Sequence, residues 1–149
     1  MIQLRGFLRG YYHKAHLLTR ALPALDVVLR LFLANVFFKS GLTKIQTWES
    51  TLYLFREEYH VPLIPPDIAA YLATGAELAL PVLLILGLFG RFSALGLSIL
   101  NIVAAYSYYD QLSEAGLNQH LYWGLLLAVL LLHGLDKWSL DNWLEKRCW

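Results

Sequence analysis

Cysteine is nearly missing. The 149-residue chain carries one, Cys148, which excludes an intramolecular disulfide, a CxxC redox pair and a cysteine-rich metal centre. Charge is scarce as well: Asp, Glu, Lys and Arg make up 15% of the residues, against about 25% in soluble domains. The formal net charge of +1 supplies no field that would recruit nucleic acid, and no basic tract with interleaved aromatics substitutes for one. P-loop, GxSxG, GxGxxG and HExxH sequences are lacking, so nucleotide and hydrolase chemistry have no local motif and no catalytic residue is assigned. Metal ligands are sparse too. The pair His13 and His16, and the outer group Glu57, Glu58 and His60, each fall short of a three- or four-ligand site, and no metal is expected.

What is abundant is apolar. Hydrophobic residues reach 58%, more than a domain of this size can hide from water, because its surface-to-volume ratio demands a polar skin. The excess is expected to face lipid. Four apolar runs read as spans, at about 22–39, 68–89, 92–109 and 119–135. The fourth is short for a crossing unless Gln119 and His120 join it, since about 17–25 residues are needed. The expectation is an all-α integral membrane four-helix bundle, one domain over residues 1–149.

Flanking segments complete that picture. In residues 1–21, Leu4, Leu8, Tyr11, Ala15 and Leu18 recur at helical spacing, the pattern of an amphipathic helix lying on a membrane. No uninterrupted apolar stretch with a cleavage site follows, so this end is expected to be retained. The long connection 40–67 is too polar for lipid. Its middle, Trp48 to Tyr59, sets Trp48, Leu52 and Phe55 on one side of a short helix that stops at the cluster Pro62, Pro65 and Pro66, and an ordered cap over the bundle is expected. Arg5, Arg9, Lys14, Arg20, Arg91, Lys137, Lys146 and Arg147 gather on one side, against Lys39, Lys44 and Arg56 on the other. Lys and Arg mark the cytoplasmic face. Both termini, with the tail 136–149, are therefore expected inside a bacterial inner membrane crossed several times, with the long loop outside.

Ionisable groups within a span each cost about 2.5–3.5 kcal/mol even on lenient scales, so each needs a partner or a task. Arg30 and Glu77 are the clearest. At 1.5 Å per residue they lie roughly 12 and 14 Å inward from opposite ends of their spans, and Asn101 reaches a similar depth. A central polar cluster of Arg30, Glu77 and Asn101 is the expectation. The plainer alternative is that Asp26, four residues before Arg30, neutralises it within one helix.

A second group gathers at the outer face. Lys39, Thr43 and Lys44 end the first span, and Asn118, Gln119 and His120 open the fourth, with Trp48 and Trp123 near by. Donors beside aromatic walls would suit a quinone head. His120 carries the proton-exchange part, since imidazole titrates near neutrality. For Lys39 and Lys44, snorkelling and helix capping are the competing account. His133 reads as a hydrogen-bonded core histidine.

The runs LRLFLANVFFKSGLTKI (29–45), ATGAELALPVLLILGLFGRFSALGLSIL (73–100) and YWGLLLAVLLLHGLDKWSLDNWL (122–144) resemble the DoxX family of small bacterial membrane proteins. The shared features are an Arg in the first span, Gly41 and Lys44 at its end, a Glu in the second span, and the stretch Lys137 to Asp141 after the fourth. Where many relatives carry a Gly-Pro-Gly turn, this chain has His133-Gly134-Leu135-Asp136. The resemblance implies a four-helix inner-membrane bundle. It also implies a role in quinone-linked redox or stress homeostasis, because some relatives look like subunits of a thiosulfate:quinone oxidoreductase. No intrinsic cofactor is expected; a quinone is the candidate ligand. The candidate partners are membrane lipid and a protein, either a different subunit or a second copy. Two other readings stand beside this one. The chain would be a non-catalytic scaffold that binds a partner through the outer loop, or a small-solute transporter. A faint echo of Gly87-Leu88 and Arg91-Phe92-Ser93 in Gly134-Leu135 and Lys137-Trp138-Ser139 hints at duplicated hairpins.

Overall fold

The computed structural model describes residues 19–134 and 138–148. The expected amphipathic helix of residues 1–21, with His13 and His16, lies outside the described residues except at its end. The described residues form six α-helices and one 3-10 turn, with no strand among them. They are α1 (Leu22–Gln46), α2 (Trp48–Glu57), α3 (Pro66–Leu86), α4 (Gly90–Ser107), α5 (Glu114–His133) and α6 (Leu140–Cys148); the 3-10 turn, Tyr109–Gln111, precedes α5.

Helix boundaries follow local chemistry. Pro23 and Pro66 sit in the first turns of α1 and α3, where a missing N–H costs nothing and the fixed φ favours the helix. Ser113 caps α5 by accepting from the Gly116 N–H at 3.1 Å, and Gly87 ends α3 at φ +66, the left-handed conformation glycine adopts without strain. α1 runs seven residues beyond the expected end at 39. Its polar last turns stay helical, with the Thr43 and Thr47 hydroxyls donating to the Lys39 and Thr43 carbonyls at 3.0 Å each.

The four long helices pack around Leu33, Phe37, Leu84, Ala94, Leu97, Leu127 and Leu130. Small residues set their spacing: a Cβ on Gly41 would stand 3.0 Å from the Glu77 Cβ, so α1 and α3 approach closely there. Outward faces are apolar, including Val28, Phe92, Ile102, Leu121 and Leu132. Two helices, Pro66–Leu86 and Glu114–His133, are long and apolar enough to cross a membrane, and only 11% of the most apolar stretch of α5 is buried. His133 is exposed, so the expectation of a core histidine is corrected. It is the last residue of α5, three positions beyond Leu130, the last buried side chain of that helix.

At the end of the bundle where α1 stops, α2 folds back as a cap. Phe55 is buried against Ala69 and Ala70, with Trp48 and Leu52 packed beside it. The Thr51 hydroxyl donates to the Lys44 carbonyl at 3.1 Å. Arg56 grips Asp67 through two bonds of 2.7 and 2.9 Å, and the His60 N–H reaches the Ser107 carbonyl at 3.0 Å. The cap is thereby fastened to α1, α3 and α4.

At the opposite end of the bundle the segment after α5 latches onto the α3–α4 turn. The Asp141 carboxylate accepts from the Phe89 and Gly90 N–H groups at 2.8 Å each, which supplies the otherwise orphan donors of the α4 N-terminus. The Asp141 N–H donates to the Gly87 carbonyl at 2.9 Å. Arg30 donates to the Trp138 carbonyl at 2.8 Å and lies 3.0 Å from Asp26.

Candidate functional site

Arg30, Glu77 and Asn101 do not meet; the structure gives each a different partner. Arg30 pairs with Asp26 on its own helix at 3.0 Å, the plainer alternative for this residue, and serves the latch at the α3–α4 turn. Glu77 pairs with Lys44, whose ammonium lies 2.8 and 2.7 Å from its two carboxylate oxygens. Asn101 is bonded to His120. The reason is register. A Cβ on Gly41 would meet Glu77, and one on Gly87 would meet the Arg30 guanidinium. Glu77 is thus level with a residue eleven positions beyond Arg30, roughly 16 Å along α1. Counting depth from the polar ends of the runs missed this because α1 continues through Lys44 and α3 begins at Pro66.

Lys44 and Glu77 stand where two chambers meet. One, of about 340 Å³, lies between α3 and α4 beneath the cap, walled by Leu72, Leu80, Ile99 and Val103 and reaching Phe55 and Tyr59. It is almost wholly apolar, and Gly96 widens it: a Cβ there would stand 2.7 Å from a Leu80 methyl. The other, of about 230 Å³, lies between α1, α4 and α5 and presents Ser40, Tyr59, Tyr108, His120 and Trp123. Lys44, Glu77 and Tyr59 line both.

Local sequence explains how the pair is held. Ser40 and Lys44 are one turn apart on α1, and the Lys44 ammonium donates to the Ser40 hydroxyl at 2.9 Å, which in turn donates to Glu77 at 3.3 Å. Pro81, four residues after Glu77 in α3, has no N–H to bond the Glu77 backbone carbonyl, so the helix is loosened where the carboxylate emerges. Glu77 is buried and Lys44 half-buried, and a buried carboxylate needs such a partner.

On the far wall, Asn101 donates from its amide nitrogen to the His120 carbonyl at 2.9 Å, and its amide oxygen faces His120 Nδ1 at 2.8 Å. The imidazole meets the Trp123 ring edge-on at 5.1 Å, and Trp123 meets Phe37 at 6.2 Å. Above, Tyr59 stacks between Phe55 and Tyr108, at 4.7 and 4.8 Å, and the Tyr108 hydroxyl donates to Glu58 at 3.2 Å. Burial, helped by Tyr108, Glu77 and Glu58, holds the Tyr59 phenol above its ordinary pKa, so it stays protonated at neutral pH.

Of the outer-face candidates, Lys44, His120 and Trp123 share the polar chamber; Lys39 and Trp48 do not. Lys39 is exposed, five residues and 500° round the helix from Lys44 at 100° per residue. Trp48 packs on Tyr71 at 4.7 Å, beside the Phe55 cluster that seats the cap on α3. Ser40, Tyr59 and Tyr108 are site residues that the sequence reading passed over. Ser40 carried a legible signal, since it lies one turn before Lys44. Tyr59 and Tyr108 arrive from the cap and from the end of α4, and only the folded chain joins them. Among the described residues, no group of three or more His, Cys, Asp or Glu is placed to hold a metal.

Comparison with known proteins supports the family indicated by the sequence. The DoxX family model matches residues 25–110, a stretch that contains Arg30, Lys44, Glu77 and Asn101. An uncharacterized protein of Haemophilus influenzae is 39% identical over 128 residues, covering 80% of this chain and 83% of that protein. No solved structure matches. With more than half its length under the family model, the chain is a member of the membrane-associated DoxX family.

Proposed function

We propose that the chain is a multi-pass inner-membrane subunit that seats the aromatic head of a membrane quinone, in either redox state, for a partner oxidoreductase. In this reading α1, α3, α4 and α5 span the bilayer, both termini are cytoplasmic and the α2 cap faces outward. The apolar exposed faces and the Lys and Arg bias of the flanks support that orientation.

The observation that carries the reading is the placement of Lys44 and Glu77 between an apolar chamber and a polar one. A quinone is built the same way, with an apolar chain joined to a small polar ring. The apolar chamber offers room for the chain beside Gly96, and Trp123 and Phe37 offer aromatic walls for the ring. Mostly apolar pockets with a few convergent polar groups are the usual form of a small-ligand site. The chain has no group that holds an electron by itself, so the partner would supply the redox centre.

Native mass spectrometry of the detergent-purified protein, with an organic extract of the same sample assayed for quinones, tests this. The expected result is a near-stoichiometric quinone that is lost in Glu77→Leu or His120→Leu. An extract free of quinone, from protein that also fails to bind an added short-chain quinone or quinol, overturns it.

A second reading, a scaffold that docks a protein partner on its outer loop, draws on Leu63. This residue is fully exposed at φ +68, a costly backbone conformation for a branched apolar side chain. A tightly bound second protein released by Leu63→Gly, from bundles empty of quinone, would favour it.

A further inference from the structure

The polar chamber contains more hydrogen-bonding groups than it offers to a ligand. The three ammonium hydrogens of Lys44 are directed to Ser40 at 2.9 Å and to the two Glu77 oxygens at 2.8 and 2.7 Å, and a lysine has no others. The Ser40 hydroxyl hydrogen goes to Glu77 and that of Tyr108 to Glu58. These donors are engaged within the protein.

His120 is the group whose state decides the rest. The His120 backbone carbonyl can only accept, so the Asn101 atom 2.9 Å from it is the amide nitrogen. The amide oxygen then faces Nδ1 at 2.8 Å. That oxygen can only accept in turn, so Nδ1 carries the hydrogen. A neutral imidazole has one N–H, and Nε2 is left as a bare lone pair. Asn101 is itself buried and sits between both bonds, and the Trp123 ring at 5.1 Å restricts rotation of the imidazole. The other titratable groups facing the chamber are Lys44 from α1, Glu77 from α3, Tyr59 from the loop after α2, and Tyr108 at the end of α4. The Tyr59 and Tyr108 hydroxyls each have a hydrogen to give and lone pairs to accept with, and the Tyr108 hydrogen is already given to Glu58.

We propose that Asn101 is a positioning residue that locks His120 as its Nδ1–H tautomer, so that Nε2 and Glu77 make the chamber an acceptor site selective for the reduced, hydroxyl-bearing form of an aromatic head group over its carbonyl form. The inference rests on the aromatic ligand of the proposed function and adds to it a direction of preference. A hydroquinone hydroxyl donates to Nε2. A quinone carbonyl brings a second lone pair to the same place and leaves both unpaired, which binding sites penalise heavily.

Two measurements on the full chain in detergent test this. Long-range nitrogen–proton spectra of the ring-15N-histidine protein, with the His120 signals identified by their loss in His120→Gln, are expected to report the Nδ1–H tautomer. In Asn101→Leu that preference is expected to disappear. Titration with a decyl-substituted benzoquinol and with the corresponding benzoquinone is expected to show the quinol bound about tenfold tighter or more, with the ratio falling toward one in Asn101→Leu. An Nε2–H tautomer in the unsubstituted protein, or a quinone bound as tightly as its quinol, overturns the inference while leaving a head-group site in place. If neither form binds, the proposed function itself fails and the selectivity fails with it; the spectra then decide the tautomer lock alone. Both decisive readouts use the unsubstituted protein and stand even if Asn101→Leu does not fold.

Discussion

The Lys44 ammonium reaches both carboxylate oxygens of Glu77, at 2.7 and 2.8 Å, from a helix whose backbone passes Glu77 at Gly41. The glycine and the lysine are one turn apart and act together. Gly41 lets α3 come close, and Lys44 reaches back along α1 to meet the carboxylate that this approach buries. A side chain at position 41 would push away the residue that Lys44 neutralises.

Breaking the pair leaves a buried charge without a partner. Lys44→Met and Glu77→Gln are each expected to lower stability by about 3 kcal/mol, and the double substitution to recover much of the loss. A double-mutant cycle from reversible unfolding in mixed micelles reads the coupling; additive losses would argue that the two groups are solvated independently.

Arg30 and Glu77, by contrast, belong to opposite ends of the bundle. Arg30→Leu and Glu77→Leu are expected to be additive within about 0.5 kcal/mol, whereas Arg30→Leu and Asp26→Leu should couple strongly. The same unfolding assay separates the two cases, and strong Arg30–Glu77 coupling would contradict the register described above.

Two glycines of α3 and its end make a matched pair of tests. At Gly87, φ is +66 and a Cβ would stand 2.6 Å from Arg30 and 2.7 Å from Ser139, so Gly87→Ala is expected to cost about 2 kcal/mol or more. Gly75 has nothing within 4 Å, and Gly75→Ala is expected to gain about 0.5–1 kcal/mol through lower chain entropy. Thermal midpoints in one detergent compare them directly.

The latch at the α3–α4 turn depends on one carboxylate. Asp141→Ala removes the acceptor for the Phe89 and Gly90 N–H groups and is expected to cost about 1–2 kcal/mol. Hydrogen exchange at the two amides is expected to accelerate while the Lys44–Glu77 region keeps its protection.

The cap has a pH limit. Burial raises the Tyr59 pKa above 10.0 in the folded chain, so the folded state holds this proton more tightly than the unfolded one. The resulting stability is complete below about pH 10 and is lost as the pH climbs through the folded value. Phenolate absorbance should therefore rise late for Tyr59, and Tyr59→Phe should weaken the alkaline loss.

The helices and their apolar character were legible because hydropathy and the 3.6-residue period are local properties that neighbours in sequence carry by themselves. The α2 cap was legible for the same reason: Trp48, Leu52 and Phe55 mark its inward side. The Asp26–Arg30 pair lies within one helical turn, and spacing alone brings it within reach. The partners of Glu77 and Asn101 were not legible. They depend on the axial register of antiparallel helices, which is set by how far α1 continues past Lys39 and by where the Pro65-Pro66 step starts α3. One turn of slip moves a side chain by about 5.4 Å, enough to exchange one charged partner for another. What the residues by themselves determined was a set of apolar helices with a few costly polar positions. Close packing at Gly41 and the path of the cap decided which of those positions meet, because a salt bridge forms only between groups that the whole fold brings within a few ångströms.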